Sequence, residues 1–120
     1  MDLDKRYYVN AQRTGRPPLC YGDERDLVDQ GRNPNSDKYI GLSLKDACMM
    51  YDSGDQWKRE AGGEIVERAG LQDCGSIALD MPSRNYPRAT VFSDGEELFI
   101  IRPDTGDKEH VHQRRGALTC

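Results

Sequence analysis

Two histidines, four cysteines and two arginine-rich loops are the residues of this 120-residue chain whose types and spacing admit chemistry. His110 and His112 stand two apart, the interval that sets both imidazoles on one side of a strand and lets the pair chelate a metal. A site also needs third and fourth ligands, and the sequence supplies only scattered acids and distant cysteines. The spacing therefore reads as an exposed edge strand with Val111 turned inward, and no metal is expected. Cys20 and Cys74 lie beside glycine-containing loops, but a thiol nucleophile needs a positioned base, and nothing in the spacing assigns one. The cysteines are far apart, with no C-x-x-C pair, so free thiols are expected, Cys48 buried and Cys120 exposed. The acidic run Asp23, Glu24, Asp26 and Asp29 is interrupted by Arg25 and lacks the glycine-centred order of a calcium loop. It reads as a solvated helical turn. Neither G-x-G-x-x-G nor G-x-x-x-x-G-K-[ST] occurs, so no phosphate cradle, no cofactor and no catalytic residue is expected.

The remaining signal is a pair of loops. Arg13 and Arg16 precede Pro17, Pro18 and Tyr21; Arg84 and Tyr86 precede Pro87 and Arg88. Arginine and tyrosine each combine a large contact face with a polar tip, and proline lowers the loop entropy lost on binding. The planar guanidinium fork also suits carboxylate or phosphate groups. Arg13, Arg16, Tyr21, Arg84, Tyr86 and Arg88 are thus the expected binding residues, forming one surface if their two strands run parallel in one sheet.

These loops need elements to hold them. Tyr7, Val9 and Ala11 alternate with polar neighbours across Arg6 to Gln12, a half-buried strand. From 13 to 41 the pattern dissolves in glycine, proline and asparagine, with only Asp23 to Asp29 able to form a helical turn; so long an irregular connection marks a functional or mobile segment. Ser43 with Asp46 three residues on caps a helix whose Leu44, Ala47, Cys48 and Tyr51 share a face. Gly54 reads as its left-handed end and Asp55 as the next cap, for a second helix from Gln56 to Ala69 stopped by Gly70. Gly62 and Gly63 in its middle cost about 1 kcal/mol each relative to alanine. Either something packs closely against them or the helix breaks there.

The last third alternates as strands. Gly75 to Met81 is one, followed by a loop from Pro82 to Pro87. Asp94 and Gly95 suit a two-residue hairpin turn that would set Val91 opposite Leu98 and Ala89 opposite Ile100, with Phe92, Phe99 and Ile101 on the other face. Asp107 to Gln113 is polar enough for an edge.

Composition bounds the rest. One domain spanning 1–120 suits the length. Leu, Ile, Val and Phe fall under the roughly one-fifth of residues typical of folded chains, so the core is thin, and a second copy or a partner would complete it. Charged residues make up 32% of the chain at a net charge of -4, which disfavours nucleic-acid binding by bulk attraction. No apolar run spans a membrane, and MDLDKRYYVN carries no apolar leader core, so a cytoplasmic protein without membrane attachment is expected. The expected fold is α+β: a two-layer sandwich with an antiparallel or mixed sheet of four or five strands and a helical hairpin packed on one face. The expected function is a non-enzymatic binding protein, a small regulator or inhibitor of a larger protein with an acidic or anionic surface. The alternatives are a small enzyme on a phosphorylated or nucleic-acid substrate, with Arg13, Arg16, Arg84 and Arg88 as anion ligands and His110 or His112 as acid or base, and a self-assembling subunit using the polar edge strand.

Overall fold

Cap residues fix where the helices begin, and a computed structural model, which describes residues 2–11, 17–79 and 88–112, shows three of them in use. Asp23 accepts from the Asp26 amide while the Asp26 carboxylate accepts from the Asp23 amide, a closed capping box. Ser43 accepts from the Asp46 amide and Asp55 from that of Trp57. The helices that follow are α1 (Glu24–Asp29), α2 (Leu44–Tyr51) and α3 (Gln56–Arg68). With three helices and two antiparallel sheets the chain is of the α+β class. The single sheet expected from the sequence is instead divided, and the chain separates into two compact units, Met1–Ala69 and Gly70–Cys120.

In the first unit β1 (Arg6–Asn10) lies between β2 (Cys20–Asp23) and β3 (Tyr39–Ser43), antiparallel to both. Tyr7 and Val9 are buried, as their alternation requires. Within the irregular connection expected over 13–41, the helical turn expected at Asp23 to Asp29 is present as α1, whereas β2 and the start of β3 were not expected. Strand β2 is bulged and β3 is half-buried along its whole length, so neither shows the alternation of a strand. Helices α2 and α3 form the expected hairpin, with Leu44, Ala47 and Cys48 buried on one helix and Ala61, Gly62, Ile65 and Val66 on the other. Gly54 does not adopt the left-handed conformation expected of it, whereas Gly70 does, at φ +80. Helix α2 ends earlier, at Asp52, with the Ser53 amide bonding the Met50 carbonyl.

Asp23 gathers a further support for this unit. Lys5 Nζ lies 3.1 Å from its Oδ2, and the Asp26 amide followed by Lys5 holds its carboxyl below the ordinary aspartate value. Asp23→Ala removes the cap and is expected to cost about 1 kcal/mol. Asp23→Asn keeps a good cap and loses only the ion pair, so it should cost less than half of that. Because the folded value is depressed, the ionic contribution is complete above about pH 4, the unfolded aspartate value, and is lost as pH falls through the folded one. Denaturant midpoints measured between neutral and acid pH should therefore decline less for Asp23→Asn than for the natural chain; parallel declines would assign the acid sensitivity to other groups.

The second unit is an antiparallel meander, β4 (Gln72–Ala78), β5 (Arg88–Ser93), β6 (Leu98–Ile101) and β7 (Lys108–His110), ordered as in sequence. Strand β4 starts earlier than expected; Leu79 beyond its end is buried, and Met81 lies outside the described residues. Strand β6 is central, and Val111, just past the exposed edge β7, packs with Ile77 and Leu98 against Cys74, Leu79, Ala89, Val91 and Ile100. The expected hairpin register is off by two. Phe92 pairs with Phe99 and Ser93 with Leu98, so the loop holds four residues, Asp94 to Glu97, rather than two. The cause is the Asp94 carboxylate, which accepts from both the Glu96 and Glu97 amides at 2.9 Å and stabilises the wider loop. A shift of two preserves the faces, so the apolar assignment stands. The expectation of free thiols holds at Cys20 and Cys48 and fails at Cys74, which is disulfide-bonded. Spacing along the chain carries no information on which cysteines the strands bring together.

Candidate functional site

Of the six expected binding residues, Arg13, Arg16, Arg84 and Tyr86 lie outside the described residues. Arg88 opens β5 and reaches across the β4–β5 pair, donating from Nε to Ser76 Oγ at 3.1 Å and from Nη2 to the Ser76 carbonyl at 2.8 Å. Tyr21 belongs to a different constellation, in the first unit, which the sequence reading did not assemble.

That constellation starts from a bulge. Tyr8 pairs with Gly22 and Val9 with Cys20, so Tyr21 is the extra residue of β2, and bulges re-aim the side chain they carry. Its ring meets the Tyr39 ring edge-on, with centroids 5.2 Å apart and planes at 78°. Helix α1 then delivers the third member. Gly31, left-handed at φ +74, lets the Gly31 amide bond the Val28 carbonyl and the Arg32 amide bond the Leu27 carbonyl, the paired bonds of a Schellman ending. Leu27 is fully buried, which anchors that ending. Arg32 is thereby set with its guanidinium carbon 4.5 Å from the centroid of Tyr21, within cation–π range. Its Nη1 donates to the Tyr39 hydroxyl at 3.0 Å and its Nε to Gln30 Oε1 at 3.1 Å, while Gln30 Nε2 donates to the Tyr21 carbonyl. The Tyr39 bond holds the guanidinium pKa above its ordinary value. Signals for Arg32 and Tyr39 existed, a glycine just past a capped helix and an aromatic next to β-branched Ile40, but neither says that the two side chains converge.

Around this group lies a cleft of about 850 Å³ lined by Tyr21, Arg32, Tyr39, Lys38, Asp37 and Glu64, with Pro17, Pro18 and Leu19 supplying an apolar part. Leu19 is 52% exposed, one of two large apolar side chains so placed among the described residues.

The other chemical candidates resolve differently. Burial raises the Cys20 thiol and pushes that of Cys48 up to about 12, so neither is an activated thiolate. His110 and His112 meet edge-on with ring centroids 5.1 Å apart, and Glu97 reaches both Lys108 and His110. Among the described residues no three His, Cys, Asp or Glu side chains gather where they could hold a metal ion, and no helix is long and apolar enough to cross a membrane. No protein-family model matches the chain, and neither the curated proteins nor the solved structures show a match to it.

Proposed function

We propose that this chain is a non-enzymatic binding protein, a small regulator or inhibitor that contacts a larger protein partner through an arginine and tyrosine surface. The observation that carries the reading is Arg32, stacked on Tyr21 and bonded to Tyr39 beside an open cleft. Interface hot spots favour these two residue types, and an arginine fixed in place loses little entropy on binding. Arg13 and Arg16 of the first unit, and separately Arg84, Tyr86 and Arg88 of the second, stay in the proposal as further basic and aromatic contacts for an acidic or anionic partner; the shared sheet on which one common surface depended is absent, since β1 and β4 belong to different sheets.

No observation favours an enzyme. The self-assembly reading gains little from β7, whose three exposed residues include Lys108; a short, charged edge is how sheets avoid pairing with one another. A cytoplasmic location is supported by the free thiols of Cys20 and Cys48 and opposed by the bonded Cys74.

The test is affinity capture from the native host, read by mass spectrometry, with the natural chain and with Arg32→Ala. A single stoichiometric protein is expected with the first and a loss of several-fold or more with the second. The variant's stability should change by no more than about 2 kcal/mol, since it loses one exposed cation–π contact and two exposed hydrogen bonds. A co-purified nucleotide in place of a protein would turn the reading toward the enzyme alternative, and capture unchanged by Arg32→Ala would remove the surface.

A further inference from the structure

Arg32 has no carboxylate partner among the described residues, although acids outnumber bases in this chain and Lys5, Arg68, Arg102 and Lys108 each pair with at least one carboxylate. Arg32 instead bonds a tyrosine hydroxyl and an amide oxygen, and Lys38, lining the same cleft, has no carboxylate partner among the described residues. A guanidinium carries five N–H donors. Two of those on Arg32 are used, one on Nε and one on Nη1, which leaves three, the second on Nη1 and both on Nη2, for the oxygens of a carboxylate. Stacking on Tyr21 and the bond to Tyr39 fix the plane of that fork before any ligand arrives.

The rest of the lining narrows the ligand. Asp37 and Glu64 balance Arg32 and Lys38, so a polyphosphate or nucleic-acid backbone would meet two like charges for every two opposite ones, in a molecule of net charge -4. A single carboxylate on the Arg32 fork carries one negative charge and meets less of that repulsion than a run of phosphates does. Pro17, Pro18, Leu19 and the two tyrosine rings offer an apolar surface beside it, which suits the hydrocarbon or proline neighbours of an acidic residue in an extended peptide.

We infer that the cleft built by Tyr21, Arg32, Tyr39 and Lys38 binds an acidic peptide segment, one carboxylate seated on the unused N–H groups of Arg32 and its apolar neighbours against the tyrosine and proline wall. The inference rests on the binding-protein reading and names the chemistry its partner would present.

The full chain, labelled with nitrogen-15, is titrated with a blocked peptide carrying one glutamate between two prolines and, separately, with its glutamine counterpart, inorganic phosphate and oligothymidylate. The glutamate peptide should shift the Arg32 Nε–H resonance and the amides around Tyr21 and Tyr39. The glutamine peptide should bind at least tenfold more weakly, because a neutral amide cannot take the fork as an anion. Arg32→Lys, which keeps the charge without the fork, should lose a similar factor. Equal affinity for the two peptides, tighter binding of phosphate or oligothymidylate at Arg32, or shifts confined to other residues would each overturn the inference. An Arg32-dependent captured protein with no glutamate-peptide response defeats the acidic-peptide inference alone. A glutamate-selective response with no captured protein defeats the binding-partner reading alone.

Discussion

Gly62→Ala is expected to destabilise the protein by about 2 kcal/mol, and Gly63→Ala, one residue further along the same helix, to stabilise it by up to roughly 1 kcal/mol. Helix propensity alone predicts a gain at both, because alanine loses less backbone entropy than glycine in a helix interior. Packing separates them. A Cβ on Gly62 would stand 2.6 Å from the Ala47 carbonyl oxygen, 2.9 Å from the Tyr51 nitrogen and 3.2 Å from the Met50 carbonyl carbon. All three atoms are backbone of α2, so no rotamer change relieves the overlap and the two helices must move apart. A Cβ on Gly63 meets only Tyr51 Cε2, at 3.9 Å, an ordinary contact. Denaturant midpoints with an unchanged dependence on denaturant concentration give both signs. A stabilised Gly62→Ala would mean that α2 and α3 do not approach each other this closely.

The same pair shows how far the sequence reaches. Gly62 and Gly63 posed a choice between close packing and a broken helix; α3 is continuous across them, and α2 is what packs there. Which of the two glycines faces α2 depends on the rotation of one helix against the other, and that is tertiary information. The helices themselves were legible because Ser43, Asp55 and Asp23 act within four residues of their own position. Strands β2 and β3 were not. Tyr21 is the inserted residue of a bulge, and β3 is half-buried along its whole length, so neither shows the alternation by which strands are recognised. The hairpin loop is not legible from Asp94 and Gly95, which suit a two-residue turn, because the Asp94 side chain stabilises a loop twice as long. Tyr21 stands out in the sequence by its arginine and proline neighbours, yet the arginine that stacks on it is Arg32, delivered from the far end of α1. Residue types that lie close in sequence do not say which copies of them meet in the fold.

Phe99→Ala should have the largest effect of any single truncation considered, about 3 to 5 kcal/mol, a substantial part of the stability of a domain this size. Phe99 is fully buried in the central strand β6. It stands directly opposite Phe92, itself 1% exposed, with ring centroids 6.2 Å apart and planes at 40°, and Lys108 Nζ lies 5.0 Å from its ring centroid. Removing the ring forfeits its transfer from water and leaves a cavity on the face of the sheet opposite Val91 and Ile100. Phe99→Leu keeps most of that volume and should cost well under half as much. Because the two rings touch across the strand pair, Phe92→Ala in the Phe99→Ala background should cost less than it does alone, by about 0.5 to 1.5 kcal/mol, the usual coupling of an aromatic pair. Native-state hydrogen exchange of the β5 and β6 amides reads the loss directly, and a fall of less than about 1 kcal/mol would take Phe99 out of the core. The amides of β1 supply the comparison for the proposal that residues 1–120 form one domain. A single cooperative domain lowers their protection by the same amount, whereas two independently folding units leave it unchanged.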